Sequence, residues 1–178
     1  VIIGANDFQN QLILKAKSLG YETHVFAWEE GAVGKSTADY FYPISIVEKE
    51  EILDKCKQIK PDGVCSIASD LASITVNYVA ENLGLPCNKM KYSAIQTNKY
   101  KMREAFMAAG LPCPKFVLAD ENFDESQVKD FKFPIIVKPT DRSGSRNIMK
   151  LESTDGLLKA IKEACETSFE KKAIVEEY

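Results

Sequence analysis

Apolar and polar residues alternate in blocks along the first 110 residues, and each block has the length of one strand or one helix. Short apolar runs bounded by turn residues predict buried strands, and apolar residues every three or four positions predict amphipathic helices. The predicted elements are, in chain order, a strand at 1–5, a helix at 9–19, strands at 21–27 and 40–44, a helix at 48–60, a strand at 62–68, a helix at 71–84 and a helical stretch at 91–109. Repeated units of this kind predict a doubly wound α/β domain with parallel strands and right-handed crossovers.

The pattern changes after Gly110. A proline-marked link leads to a strand, and two further strands, "FPIIVKP" and "NIMKL", are joined by one polar loop, which predicts an antiparallel hairpin. A helix from about Thr154 to Ser168 and a last strand, "KKAIVEEY", follow. We therefore expect two domains: a Rossmann-like parallel α/β domain at residues 1–110 and the beginning of an α+β domain at 111–178.

Composition excludes several classes of protein. The chain of 178 residues is 45% hydrophobic and can bury a core, while its formal charge of -3 argues against a nucleic-acid surface. It contains no apolar stretch long enough to predict a membrane span. The five cysteines are scattered and never in C-x-x-C spacing, which predicts buried thiols in a reducing compartment and hence a cytoplasmic protein. The single histidine, His24, argues against histidine metal sites and Ser-His-Asp triads.

Residues 31–37, "GAVGKST", look like a phosphate-binding P-loop but fail its spacing. The motif needs a glycine five positions before Gly34, where Glu29 stands, and it needs a helix to follow, whereas the sequence continues with aromatic residues and Pro43. We interpret this segment as a flexible surface loop.

The first turn, "GANDFQNQ", has one glycine where a dinucleotide fingerprint needs three, so NAD binding is a minor alternative. The carboxyl ends of parallel strands nevertheless form the usual ligand edge of such sheets. The turns Gly4 to Asp7 and Ser66 to Asp70 are therefore the expected position of a small-molecule pocket. The alternative for Asp70, or for Ser69 before it, is a simple helix cap.

Strand alternation places Ile135 and Val137 on one face of a strand, and Ile136 and Lys138 on the other. Lys138 thus ends a buried apolar run, where an ammonium group needs an anion. The loop that follows, "TDRSGSRN", is small, flexible and basic enough to bind phosphate oxygens. A surface lysine beside a basic turn is the alternative interpretation.

Two further segments suggest a nucleotide. In "AIVEEY", alternation places Ile174, Glu176 and Tyr178 on one face, which combines the apolar wall and the acceptor that an adenine needs. The alternative is an exposed edge strand with solubilising acids. In "QTNKYKMREAF", Asn98 is suited to cap a helix, and a lysine at position 99, in the first turn, opposes the helix dipole and suggests an anion. For Lys101 and Arg103 the expectation is a solvated charged face.

These segments, in this order behind an α/β domain, resemble the ATP-grasp superfamily, and more narrowly the carbamoyl phosphate synthetase large subunit and biotin carboxylase. The resemblance spans the whole chain, through "NK…AGLPCPK", "FPIIVKP" with "SGSRN", and "IVEEY". It implies that Lys99 and Lys138 contact nucleotide phosphates and that the loop Asp141–Asn147 closes over them as a lid. It implies that the strand Val175–Tyr178 borders the adenine, with Glu176 or neighbouring backbone near its amino group. The implied nucleotide-binding residues are Lys99, Lys138, Ser143, Gly144, Ser145, Arg146, Glu176, Glu177 and Tyr178. In one departure, Asn147 stands where these relatives often have glycine.

The resemblance implies an ATP-dependent ligase that joins a small-molecule carboxylate to an amine or another nucleophile. Such enzymes pass the γ-phosphoryl group of ATP to the carboxylate, forming an acyl phosphate, and release ADP and phosphate. Their Mg²⁺ ligands and catalytic arginine lie in the second half of the grasp domain. We therefore expect these residues beyond Tyr178, with no catalytic or metal-binding residue in this fragment, which should be inactive alone. The alternatives are a non-catalytic ATP-binding regulatory module and a Rossmann-type dinucleotide-binding domain.

Overall fold

The computed structural model describes all residues from 1 to 178 and divides into two compact units, Val1–Ser93 and Ala94–Tyr178. This division falls before the helix at Lys99–Ala108, whereas the sequence suggested a boundary at residue 110. The helix belongs to the second unit because its residues bond and pack there. The backbone N–H of Lys99 donates to the carbonyl of Thr140 at 2.8 Å, and the ring of Tyr100 meets that of Phe116 edge-on at 5.4 Å.

The first unit is built on a three-stranded sheet in the order β1-β2-β3, and its strands are parallel as predicted. Its first two strands are buried on both faces, since Ile2 and Val25 pack with the first helix and Ile3 and Phe26 pack with the other two. The elements are β1 (Ile2–Ile3), α1 (Asp7–Ser18), β2 (His24–Phe26), β3 (Tyr40–Tyr42), α2 (Lys49–Ile59) and α3 (Asp70–Asn82).

The predicted strand at residues 62–68 is wrong in extent. Only Cys65 pairs with β1, through bonds from its N–H to the Val1 carbonyl and from the Ile3 N–H to its own carbonyl. Because β1 is two residues long, it offers no further partners, and the chain turns at Ser66, whose hydroxyl donates to the Ile3 carbonyl at 2.5 Å. Ser69, and not Asp70, then caps α3 by accepting the backbone N–H of Ala72.

The segment that resembles a P-loop forms a short 3₁₀ turn, Val33–Ser36, and is anchored rather than loose. Gly34 is buried, and its N–H donates to the Ala5 carbonyl at 2.9 Å. A Cβ at Gly34 would lie 2.5 Å from the Cδ1 atom of Ile13, so the close approach of two segments explains the glycine. The motif therefore has a packing role here.

The second unit contains a four-stranded antiparallel sheet in the order β4-β7-β5-β6. The predicted hairpin and the predicted α/β fold class are thus confirmed. The predicted helical stretch at 91–109 is broken into a 3₁₀ turn and two helices, because Asn98 leaves the helix to cap the second one and accepts the N–H of Lys101. The elements are α4 (Ser93–Thr97), which begins at the end of the first unit, α5 (Lys99–Ala108), β4 (Phe116–Ala119), β5 (Ile135–Pro139), β6 (Met149–Leu151), α6 (Leu157–Thr167) and β7 (Ala173–Glu177).

One face of this sheet forms the core of the second unit. Ile135, Val137 and Val175 are completely buried and lie in one cluster with Leu157 and Ile161 of α6. The alternate residues of β5 and β7 therefore lie on the opposite face, which carries the charged groups described below. No helix of either unit has the length and apolar character needed to cross a membrane.

Candidate functional site

The face of the second sheet opposite its core brings two predicted residues together. In the antiparallel pair of β5 and β7, Ile136 lies opposite Glu176 and Lys138 lies opposite Ile174. Lys138 and Glu176 are thus diagonal neighbours on one face, as strand alternation predicts. Ile174, fully buried, supplies the apolar wall between them.

Glu176 is held by two cations. The ammonium of Lys138 donates to its Oε1 atom. The guanidinium of Arg103 donates from Nε to Oε2 at 2.8 Å and from Nη2 to Oε1 at 3.3 Å, which is a bidentate arrangement. The exposed fractions are 6% for the Glu176 side chain, 16% for Lys138 and 24% for Arg103. We call these three residues the charged triad.

The electrostatic balance of the charged triad favours an additional anion. Burial raises the pKa of the Glu176 carboxyl, but hydrogen bonds from Arg103 and Lys138 outweigh this effect and hold that pKa below its usual value. The hydrogen bond to Glu176 likewise raises the pKa of Arg103. Both shifts favour the charged forms of Glu176 and Arg103, and two cationic side chains face one carboxylate. The surplus positive charge is poorly solvated, which is the environment that attracts a phosphate.

Arg103 is the residue that sequence reasoning missed. The sequence suggested a solvated face for Lys101 and Arg103, and the prediction fits Lys101, which is exposed. Arg103 instead points to the sheet and binds a carboxylate 73 positions away in the chain. A signal was available, because Arg103 lies four residues after Lys99 and therefore shares its face of α5.

Lys99 lies at the first turn of α5, where it contacts the base of the loop after β5. Its backbone N–H donates to the Thr140 carbonyl, and its ammonium donates to the Arg142 carbonyl at 2.5 Å. Thr140 follows Lys138 by two residues, so both predicted lysines serve the same end of β5. Asn98, the cap of α5, donates to the carboxylate of Glu170 at 2.5 Å and so ties the helix to the segment before β7.

The loop Asp141–Asn147 is anchored at both ends and exposed between them. The carboxylate of Asp141 accepts the backbone N–H groups of Phe169 and Glu170 at 3.1 and 2.9 Å. The side-chain amide of Asn147 donates to the Glu163 carbonyl at 2.6 Å and to the Thr167 hydroxyl at 2.7 Å.

The exposed centre of the loop contains the four residues expected to meet a nucleotide, Ser143, Gly144, Ser145 and Arg146. Gly144, Ser145 and Asn147 have positive φ angles of 71°, 54° and 53°, so the backbone turns sharply here. Beside it, the guanidinium of Arg142 stacks on the Phe169 ring, 4.2 Å from the ring centre. The role of this loop as a lid stays a prediction.

The last two residues predicted to bind the nucleotide, Glu177 and Tyr178, lie away from the charged triad or are exposed. The side chain of Glu177 accepts the backbone N–H of Lys132 at 2.8 Å and, by alternation, lies on the side away from the charged triad. Tyr178 is 81% exposed, and the ammonium of Lys150 lies 4.8 Å from the centre of its ring. The structure therefore brings Glu176, but not the Glu177 side chain, next to Lys138.

In the first unit, the two predicted turns adjoin each other. Gln9 is 1% exposed, and its amide donates to the carbonyl of Ile67 while its oxygen accepts the N–H of Asn6. Asn6 and Gln9 occupy the second and third glycine positions of a dinucleotide fingerprint that would begin at Gly4. A cavity of about 560 Å³ lies at the opposite ends of the strands, lined by residues such as Tyr21, His24 and Cys65. The pocket expected at the carboxyl ends stays a prediction.

Within residues 1–178, no group of three or more His, Cys, Asp or Glu side chains is placed to hold a metal ion. The donor set around Lys138 is cationic, which suits the phosphate groups of a nucleotide and repels a divalent cation.

Comparison with known proteins gives a consistent set of relatives. No family model matches the chain. D-alanine–D-alanine ligase B of Chromobacterium violaceum is 33% identical over 108 residues, covering 58% of this chain and 35% of the ligase. The formate-dependent phosphoribosylglycinamide formyltransferase of Prochlorococcus marinus subsp. pastoris is 26% identical over 172 residues, covering 94% of this chain and 44% of that enzyme. The chain thus spans less than half the length of these curated relatives.

A solved structure matches nearly the entire chain. The biotin carboxylase domain of the Hydrogenobacter thermophilus 2-oxoglutarate carboxylase, in complex with MgADP, ADP and bicarbonate, superposes with a TM-score of 0.77 at 20% identity. The match covers 99% of this chain and 44% of that one. The resemblance to the ATP-grasp superfamily, biotin carboxylase included, is therefore confirmed, and the chain has the fold of the N-terminal part of these enzymes.

Proposed function

We propose that this chain is the N-terminal part of an ATP-dependent carboxylate–amine ligase and that the face of its second sheet carrying Lys138 binds ATP. The observation that carries the proposal is the charged triad, in which a poorly solvated surplus positive charge lies at the end of β5. The names of the two relatives, a D-alanine–D-alanine ligase and a formate-dependent formyltransferase, support ligase chemistry on small molecules.

The proposed roles follow from position. Lys138 binds phosphate oxygens as a point charge. Lys99 holds the loop after β5 by donating to the Arg142 carbonyl, and it lies near the same end of β5 as Lys138. Ser143 to Arg146 supply exposed N–H groups and a guanidinium that fold over the phosphates. The backbone at Glu177 and Tyr178, at the end of β7, borders the adenine.

In the proposed reaction the γ-phosphoryl group passes to a carboxylate, and an amine or another nucleophile then attacks the acyl phosphate and releases phosphate. Residues 1–178 contribute positive charge and position the nucleotide, which is the main demand of phosphoryl transfer. They contain no group of three or more His, Cys, Asp or Glu side chains placed to hold a metal ion, and no step is assigned to one. We propose that Mg²⁺ and the catalytic residues belong to other parts of the enzyme and that this chain alone binds nucleotide without turnover. We also propose a cytoplasmic location, since all five cysteines are free. The prediction of buried thiols holds for Cys56 and Cys165 and is wrong for Cys65, which is exposed.

The second candidate function is a non-catalytic ATP-binding module. It is supported by the same charged triad, because it requires the nucleotide site proposed above but no phosphoryl transfer. A dinucleotide site in the first unit has little support, because the Gln9 side chain fills the turn after β1: a Cβ at Gly4 would lie 3.1 Å from it.

The test is a calorimetric titration of the 178-residue protein with ADP, with NADH as the competing ligand class. Lys138→Met removes the charge and keeps the aliphatic stem, and we expect it to weaken ADP binding by about ten- to a hundredfold, the usual value of a charge-assisted hydrogen bond. The matched control is Lys159→Met on α6, which is 82% exposed and lies across the core from this face. Equal ADP affinity in the two variants, or a preference for NADH, would contradict the proposal.

A further inference from the structure

Arg103 has a contact that the proposed function leaves unexplained. It forms two hydrogen bonds to Glu176, and Lys138 shares one of the same carboxylate oxygens. Arg103 and Lys138 therefore compete for one anion. The competition determines how strongly the Lys138 ammonium is bound to Glu176, and therefore how readily it can bind a phosphate.

We propose that Arg103 is a positioning residue for the phosphate-binding lysine: it neutralises and holds Glu176, so that the ammonium of Lys138 keeps its positive charge available to the nucleotide phosphates. The proposal rests on the proposed function of this face and adds a residue that contacts neither the phosphates nor the adenine. Arg103 acts through Glu176 alone.

The reason is a balance of buried charges. Without Arg103, Lys138 and Glu176 form a neutral pair. In the charged triad both of these side chains are less than one-fifth exposed. A phosphate then has to draw the ammonium away from a carboxylate that would be left buried and unpaired, which is costly. With Arg103 in place, Glu176 retains a bidentate partner when Lys138 turns to the phosphate.

The geometry of α5 suits this role. The helix is fixed at its first turn by the Asn98 cap and by the bond from the Lys99 N–H to Thr140, so Arg103 reaches the sheet from a defined position. Its guanidinium presents two parallel donors to the two carboxylate oxygens, whereas a lysine would present a single point charge. A lysine at this position should therefore preserve the charge balance but hold the Glu176 carboxylate less firmly than the two hydrogen bonds from Arg103 do.

The experiment is a double-mutant cycle on ADP affinity in the 178-residue protein. Arg103→Met should weaken ADP binding about tenfold. A neighbouring opposite charge typically shifts the pKa of a carboxyl group by at least one unit, and one unit corresponds to a tenfold change in an equilibrium constant. In a Glu176→Gln background the same change should alter the affinity by less than about twofold, because no carboxylate then holds Lys138. Lys101→Met removes a charge from the exposed side of the same helix and should leave ADP binding unchanged.

Three results separate the possibilities. If Arg103→Met binds ADP as wild type does, or weakens binding equally in both backgrounds, Arg103 does not act through Glu176 and the inference fails. If Arg103→Met does not fold, as judged by circular dichroism, Arg103→Lys replaces it, with an expected affinity between those of the wild type and Lys138→Met. If the wild-type protein itself binds no ADP, the proposed function fails, and the inference fails with it.

Discussion

Replacing Glu176 by glutamine should destabilise the second unit, and the magnitude follows from the charged triad. Glu176→Gln keeps the shape of the side chain but leaves two cations without their counter-ion. Breaking a buried ion pair by removing one partner costs about 3–5 kcal/mol. Because Lys138 and Arg103 are 16% and 24% exposed and regain some water, we expect the lower end, about 3 kcal/mol.

The loss of stability in Glu176→Gln should depend on pH and become smaller as the pH falls. The folded-state pKa of Glu176 is held below its unfolded value, so the carboxylate stabilises the folded protein above the unfolded value of about 4.3. This contribution is lost as the pH falls through the lower, folded-state pKa. The stability difference between wild type and Glu176→Gln should therefore be largest near about pH 7 and shrink toward about pH 3.

Two optical signals separate the units in a urea titration. Trp28 is the only tryptophan, so its fluorescence follows the first unit, while circular dichroism follows both. In Glu176→Gln the second unit should unfold at a lower urea concentration, which circular dichroism detects, while the transition followed by Trp28 fluorescence should not change. Glu152→Gln is the matched control, since Glu152 pairs with Lys150 in an exposed position and should cost nothing measurable. An unchanged Glu176→Gln transition, or a loss that is equal at both pH values, would refute the reasoning.

Two further predictions concern the glycine turn and the loop. Gly34→Ala should destabilise the first unit by about 1–3 kcal/mol through overpacking, because the new Cβ would lie 2.5 Å from the Ile13 side chain. Trp28 fluorescence in urea measures this change, and an unaltered midpoint would contradict it. Asn147→Gly retains the positive φ but removes the two side-chain bonds to α6, so trypsin should cleave after the exposed Arg146 faster than in wild type. Equal cleavage rates, with Ser145→Gly as the control, would show that these bonds do not hold the loop.

The sequence predicted those parts of the site that depend on local periodicity. A strand has a period of two residues, so Lys138 and Glu176 were each placed on the correct face of their strands. The cap at Asn98 was predicted for the same reason, since its hydrogen bond spans only three residues. The resemblance added the order of these segments and hence the fold.

Features that depend on distant packing were missed or misjudged. Arg103 binds a residue 73 positions away, and the one local feature that distinguishes it from the exposed Lys101 is its spacing of four residues from Lys99. The strand at residues 62–68 was overestimated because its length depends on β1, which offers only two residues. The anchoring of Gly34 depends on its contact with Ile13 of a preceding helix, which spacing alone does not reveal.

Binding of the nucleotide to the Lys138 face is tested by hydrogen exchange of the 178-residue protein with and without ADP. We expect ADP to slow exchange in β5, in the loop Asp141–Asn147 and in β7, with the first unit unchanged. In Lys138→Met the same protection should require about ten- to a hundredfold more ADP. Protection confined to the turn after β1 at Gly4 to Asp7, or no protection at saturating ADP, would contradict the assignment of the nucleotide to the Lys138 face.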